Sequence, residues 1–317
     1  MSLRSKVGSV VTAIAGEPRL QQLRHTEEST RRRLATWLDQ GRSAPVEAEH
    51  VPGPAAEHPA VRFTPPQMTR HQFLEGLHSL IQPRTYLEIG VNDGRSLALS
   101  RAKSIGIDPE FGILTELECD LQLARTTSDE FFARADPLRH FGGLPIDLAF
   151  IDGMHLAEFA YRDFVNVERL MSPTGVIVLD DMLPRSVEEA ARDRQTFYWA
   201  GDVFKVAEIL REARPDLVIV PVNTAPTGVL LVTALDPSSR DLDAQYATRL
   251  EQLQSSDPQR VSRATLDRID AVQATSVLRS RALPNLLELR HDTVSVEQVR
   301  NAVRGLRQLR KLGEPAA

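Results

Sequence analysis

A doubly wound, mostly parallel α/β sheet ending in an antiparallel hairpin is the fold this sequence predicts. The runs Ile146–Ile151 and Val176–Leu179 are short, bounded and rich in Ile, Val and Leu, the pattern of strands buried on both faces of a parallel sheet. One crossover of helical character, His155 to Leu170, joins them, so the two strands run the same way. Each run ends in acid: Asp152 after the first, Asp180 and Asp181 after the second. Three carboxylates are thereby expected at the sheet edge where open α/β folds bind ligands.

In chain order, residues 1–40 read as a helical extension broken at Gly16 and Pro18, with Leu20, Leu23, Leu34 and Leu38 as candidate buried positions. Residues 41–67 read as a linker, because Pro45, Pro52, Pro54, Pro59, Pro65 and Pro66 cannot continue a helix. Residues 68–235 form the predicted sheet domain. It begins with a helix over Thr69–Ile81, with Phe73, Leu74, Leu77 and Leu80 on one side. Strand Tyr86–Ile89 follows, then the turn Gly90–Gly94 and a helix over Ser96–Arg101.

Strand Ser104–Ile107 ends in Asp108. Strand Leu121–Arg125 ends at Ser128 and Asp129, and a helix over Glu130–Phe141 leads into the pair described above. Helices near Val187–Arg194 and Val203–Ala213 come next, then strands Leu217–Pro221 and Gly228–Ala234. The few residues between those last strands permit only an antiparallel hairpin. That makes seven strands.

Residues 236–317 read as a helical C-terminal extension. Ser295 and Gln298 fit a capping box, and Val296, Val299, Val303, Leu306 and Leu309 recur at helical spacing. The other face carries Arg300, Arg304, Arg307, Arg310 and Lys311. An amphipathic helix packed on the domain or on a partner accounts for this pattern, and a basic face laid on a membrane surface is the competing reading. A homo-oligomer would use these terminal helices.

Composition is that of an ordinary soluble globular chain: 317 residues, 42% hydrophobic and 26% charged. A net charge of −5 gives no basic surface for nucleic acid. Cys119 is the single cysteine, so neither a disulfide framework nor a cysteine-rich metal site is available, and a reducing cytoplasm is the expected compartment. Arg4, Lys6 and Val7–Ala15 superficially resemble a signal peptide, but Gly8, Ser9 and Thr12 dilute the run. No run reaches the roughly 18 apolar residues of a membrane span.

Three clustered carboxylates repel one another unless a cation sits among them. All-oxygen ligands suit a hard divalent ion such as magnesium. A single acid after a strand could merely cap the following helix, but capping needs only one of Asp180 and Asp181. In the first strand–turn–helix unit, Gly90 and Gly94 allow close approach of backbone to a ligand. Asp108, at the end of the next strand, stands where an acid grips the ribose of an adenosine-containing cofactor. Neither G-x-G-x-x-G nor a P-loop motif occurs at this turn or elsewhere in the sequence.

The runs YLEIGVNDGRSL, IGIDPE, DLAFIDGMH and GVIVLDDM resemble a class I S-adenosylmethionine-dependent methyltransferase. They are more similar still to its metal-dependent O-methyltransferase branch, which includes macrocin-type and catechol-type enzymes. The resemblance covers residues 68–235 and implies a Rossmann-like fold with a terminal hairpin. It implies that Glu88 and Gly90 border the methionine part of S-adenosylmethionine and that Asn92 and Gly94 also bind the cofactor. Asp108 would then hold the ribose, and Ser128 and Asp129 would lie near the adenine. Asp152, Asp180 and Asp181 would hold Mg2+ or another divalent cation, and His155 would be the general base. The implied acceptor is a hydroxyl of a sugar or small natural product.

The turn lacks a middle glycine, and Met182 and Leu183 follow the acid pair where sugar-modifying relatives often carry an aromatic residue. A non-catalytic scaffold with the same fold is the rival reading, and the intact Asp152, His155, Asp180 and Asp181 argue against it. An iron oxygenase would need a second histidine near the acids. Trp199 is either a lid over the acceptor or a buried loop anchor. His71 and His78 read as structural or cleft-lining, and Tyr161 and Asp163 as packing and surface.

Overall fold

The computed structural model describes residues 64–290 and 293–314. The expectations for residues 1–40, and for most of the linker, lie outside the described residues. Elements follow in the order α1 (Arg70–Ile81), β1 (Thr85–Ile89), β2 (Lys103–Ile107), β3 (Leu121–Ala124), α2 (Ser128–Phe132), β4 (Ile146–Ile151), α3 (Ala157–Glu168), β5 (Met171–Leu179) and α4 (Phe204–Ala213). Then come β6 (Val218–Asn223), β7 (Val229–Thr233), α5 (Asp241–Leu253), α6 (Arg263–Leu266), β8 (Val272–Gln273), α7 (Ala274–Leu278), α8 (Ala282–Leu289) and α9 (Val296–Ala302).

The strands form one sheet in the order β3-β2-β1-β4-β5-β7-β6-β8. β1 to β5 pair in parallel, and β7 inserts antiparallel between β5 and β6. The strand order reverses between β1 and β4, so the crevice at their carboxyl ends is the topological switch point. An eighth strand, absent from the sequence expectation, comes from the C-terminal segment: Val272 and Gln273 pair in parallel with Val222 and Asn223.

Strand side chains alternate between two cores, one on each face of the sheet. Leu87, Ile89, Ile105, Ile107 and Ile151 face α3 and α4, against Tyr161, Phe164, Val206, Ile209 and Leu210. Tyr86, Leu148, Phe150, Val176 and Val178 face the other way, onto Phe73, Leu74, Leu77 and Ile81 of α1. The C-terminal segment completes this second layer with Val277, Leu283, Leu286, Val299, Val303 and Leu306. Its capping box at Ser295 and Gln298 forms as expected. Two arginines of the basic face are occupied within the domain: Arg300 and Arg307 donate to the backbone carbonyls of Asp216 and Leu217 at 3.0 and 2.6 Å.

Three helices differ from expectation. Ser96–Arg101 holds only a 3-10 turn at Leu97–Leu99. Glu130–Phe141 splits into α2 and a 3-10 turn at Arg139–Phe141, because Pro137 cannot sit inside a continuous helix. Val187–Arg194 is irregular. There the Glu189 carboxylate takes the Arg185 N–H at 2.6 Å, and the Glu189 carbonyl takes those of Ala200 and Gly201. Side-chain and loop hydrogen bonds thus replace the helical ladder. No helix among the described residues is long and apolar enough to cross a membrane.

Candidate active site

Gly90 sits at the switch point with φ +88°, and a Cβ there would lie 1.8 Å from the Asp152 carbonyl oxygen. Only glycine fits so close a meeting of two strand ends. Asn92 and Gly94 continue the turn with φ +48° and +84°. Asp108, 4% exposed, accepts the Asn92 N–H at 2.8 Å and the Glu110 N–H at 2.6 Å. Those bonds fix the carboxylate and leave each oxygen a second lone pair. Glu88 is fully buried, and the Tyr86 hydroxyl donates to it at 2.6 Å. Burial first, then the neighbouring Asp152 charge, push the Glu88 carboxyl up to about 8, with the Tyr86 hydrogen bond acting the other way.

At the end of β3, Asp129 is held by a bidentate ion pair with Arg162 at 2.6 and 3.1 Å. Ser128 bonds the Asp163 carboxyl instead of standing free. Asp163 is not a surface residue: it is 3% exposed and lines a cavity with Gly153, His155 and Asp181. Burial pushes its carboxyl up to about 7. Tyr161 is buried as expected, its hydroxyl donating to the Leu242 carbonyl. His78 lies edge-on to Tyr86 at 4.7 Å and is held neutral by burial, its pKa lowered to about 4.

Two of the three expected carboxylates, Asp152 and Asp181, converge with His155. Donor atoms of Asp152, His155 and Asp181 all lie within 4.8 Å of one another. Asp180 stands apart from that trio and pairs with Arg70, which the sequence reading did not single out: Nη1 lies 2.5 Å from Asp180 Oδ2, and Nη2 lies 3.6 Å from Asp152 Oδ2. Thr227, from the β6–β7 loop, donates its hydroxyl to Asp181.

His155 has φ +56°, the left-handed region that costs a non-glycine residue energy. Its Nδ1 lies 2.9 Å from the Trp199 carbonyl and 3.0 Å from Asp181 Oδ2. Both neighbours only accept hydrogen bonds, so Nδ1 carries the hydrogen. Nε2 remains, 3.5 Å from Asp152 Oδ1.

Burial works against the imidazolium, but the Asp181 carboxylate, with Asp152 and Asp180 beside it, outweighs that and raises His155 to about 9. Burial likewise opposes the Asp181 charge, and His155 and Thr227 more than offset that and hold its carboxyl below the usual range. Asp180 and Asp152 are both raised by burial, against the opposing pull of Arg70.

The segment from Trp199 to Lys205 fastens this loop from outside. Gly201 has φ +64°, and a Cβ there would lie 1.8 Å from the His155 carbonyl. Asp202 accepts the Ala157 N–H at the start of α3 and pairs with Arg192 and Lys205 at 2.5 and 2.7 Å. Arg192 also pairs with Glu158 at 2.7 Å. Trp199 is therefore an anchor over His155, its Nε1–H donating to the Ala191 carbonyl at 2.6 Å.

The strand order, the glycine turn at the switch point and the acid closing β2 define a class I S-adenosylmethionine-dependent methyltransferase fold. A family model described as a methyltransferase domain matches residues 87–182, from β1 through the acid pair. A search of curated proteins returns no match.

Among solved structures, the O-methyltransferase TomG from Streptomyces achromogenes, involved in tomaymycin synthesis and in complex with SAM, is 18% identical. The alignment covers 52% of this chain and 78% of that one, with a TM-score of 0.37. The O-methyltransferase from Bacillus cereus in complex with SAH is 16% identical over 52% of this chain and 80% of that one, also with a TM-score of 0.37. The N-methyltransferase NodS from Bradyrhizobium japonicum is 18% identical over 51% and 92%, with a TM-score of 0.33.

Proposed function

We propose that this domain moves the methyl group of S-adenosylmethionine to a hydroxyl oxygen of a small molecule or sugar, with a divalent cation of the magnesium class at the acids. The convergence of Asp152, His155 and Asp181 beside the glycine turn carries this reading. The donor set fits such an ion. Two carboxylates and an imidazole face one point, and Asp180 Oδ1 beside them is buried without a hydrogen-bond partner while its Oδ2 meets Arg70. Asp152, Asp181 and Asp180 would hold the ion, with His155 at its edge. A bound cation lowers the pKa of a hydroxyl next to it.

The chain's own residues do the rest. Glu88, Asn92 and Asp108 bind the amino acid and ribose ends of the cofactor, and Ser128 and Asp129 stand at the adenine end. This fixes the sulfonium at the crevice. His155, its Nδ1–H pinned, presents Nε2 to take the acceptor's proton. It does so only as the neutral ring, so the Asp181 charge that holds it near 9 must be offset when the acceptor binds. The acceptor oxygen attacks the methyl carbon in line, the carbon–sulfur bond breaks, and its electron pair stays on sulfur. Alignment and exclusion of water supply most of the acceleration.

Calorimetric titration with S-adenosylmethionine and S-adenosylhomocysteine, with and without magnesium, tests the reading on wild type and Asp108→Ala. Micromolar binding to wild type that is lost in the variant is the expected result. An acceptor screen on wild type, Asp181→Ala and His155→Ala then follows. Absence of cofactor binding under every condition would sink the methyltransferase reading in favour of a scaffold.

A further inference from the structure

We infer that Arg70 is a tethered counter-ion that competes with the divalent cation for Asp152 and Asp180 and so sets how tightly the cation binds. The inference rests on the metal reading above and concerns a residue outside the acid–histidine set.

The guanidinium spans the acids of both strands, 2.5 Å from Asp180 Oδ2 and 3.6 Å from Asp152 Oδ2. It is delivered there by backbone that cannot drift. Thr69 closes a capping box at the start of α1. The Arg70 N–H donates to the Ala225 carbonyl at 3.1 Å, and the Ala225 N–H donates back to Met68 at 3.0 Å. Asn223 holds the Thr64 carbonyl at 3.0 Å. Arg70 therefore hangs from the same β6–β7 loop that sends Thr227 to Asp181.

The pairing rests on one close contact, Nη1 to Asp180 Oδ2, and not on a two-pronged fork. Arg70 Nε and Asp180 Oδ1 are buried with no hydrogen-bond partner. An interaction held mainly by charge yields to a stronger charge on the same oxygens, whereas a bidentate hydrogen-bonded fork resists it. The guanidinium stays charged throughout the working pH range. It accordingly stabilises the buried acids when no cation is bound and opposes any cation that reaches them.

Isothermal titration of the full-length protein with MgCl2 and with MnCl2 reads this directly, without an acceptor. Arg70→Met keeps the stem of the side chain and removes the charge. Its dissociation constant for each cation should be at least about tenfold lower than that of wild type, because a like charge a few ångströms from the ion has been removed. Arg70→Lys keeps the charge and should stay within about threefold of wild type. Arg70→Gln replaces the methionine variant if that one does not fold.

Equal or weaker cation binding in the uncharged variants would overturn the role given to Arg70 while leaving the metal site standing. No cation binding by wild type or any variant would overturn both the metal reading and this one. Cofactor titration of the same samples shows separately whether the methyltransferase reading survives.

Discussion

The indole of Trp199 lies flat on the imidazole of His155, with ring centroids 5.1 Å apart and planes 8° from parallel. The same residue takes the Nδ1–H through its carbonyl. A histidine on a left-handed backbone is thus held from its face and from its edge. Trp199→Ala should lower turnover by about tenfold or more, through loss of alignment, while Trp199→Phe keeps most of it. On a His155→Ala background the alanine change at Trp199 should cost little, since coupled residues fail to add. Steady-state rates for the four variants of that cycle check this. Full additivity would show that Trp199 acts on the acceptor and not through His155.

Cofactor binding should release a proton. Glu88, with its carboxyl pushed up to about 8, is mostly protonated at pH 7. The ammonium of the methionine moiety, placed beside it, favours the carboxylate. Titrations at pH 7 in buffers of different ionisation enthalpy should report about one proton released per cofactor. Zero release would remove Glu88 from the methionine end of the site.

Metal-free protein should lose stability on the alkaline side through His155. Its folded pKa, about 9, lies above the ordinary value of 6.5. The stabilisation is fully present below pH 6.5 and is lost as pH rises through 9, up to about 3 kcal/mol. Glu88, an acid raised in the fold, also favours the lower pH, so the quantity to follow is the difference between wild type and His155→Gln. Urea unfolding in EDTA between pH 6 and 10 should show the two curves converging. Parallel curves would mean that Asp181 does not raise His155.

Arg192→Met should destabilise the fold by roughly 3–5 kcal/mol, because Glu158 and Asp202 would keep buried charges with a partner removed. Asp202 retains Lys205, so the loss should be smaller in Arg192→Lys. Guanidinium unfolding midpoints for the two variants test this order. Equal midpoints for wild type and Arg192→Met would show that the network does not hold the His155 loop.

The strands were legible because their signal is local. Ile146–Ile151 and Ser104–Ile107 are apolar runs closed by an acid, and pattern alone places their ends at the crevice. Asp152 and Asp181 could be paired with His155 on the same grounds. Arg70 could not. In sequence it is an ordinary first-turn residue of a helix, and its charge matters only because Ala225, far along the chain, bonds its backbone. Strand β8 escaped for the same reason: two residues in a polar stretch carry no period. The segment Val187–Arg194 has helical composition, but Arg192 is committed to Glu158 and Asp202 and the Glu189 carbonyl to Ala200 and Gly201, which overrides it. Asp163 looked exposed because it carries a charge, yet it is buried against Gly153 and Ser128.

The segment after Leu235 supplies one wall of the second core, from Val272 to Leu306. This has a practical meaning for anyone dividing the gene. A fusion or truncation placed just past the β7 strand would leave Val218, Val220 and Leu231 facing water on a bare stretch of sheet, a template for aggregation. The smallest portable version of this domain extends about 120 residues beyond Met182, where the family match stops, because a layered fold needs both of its covers.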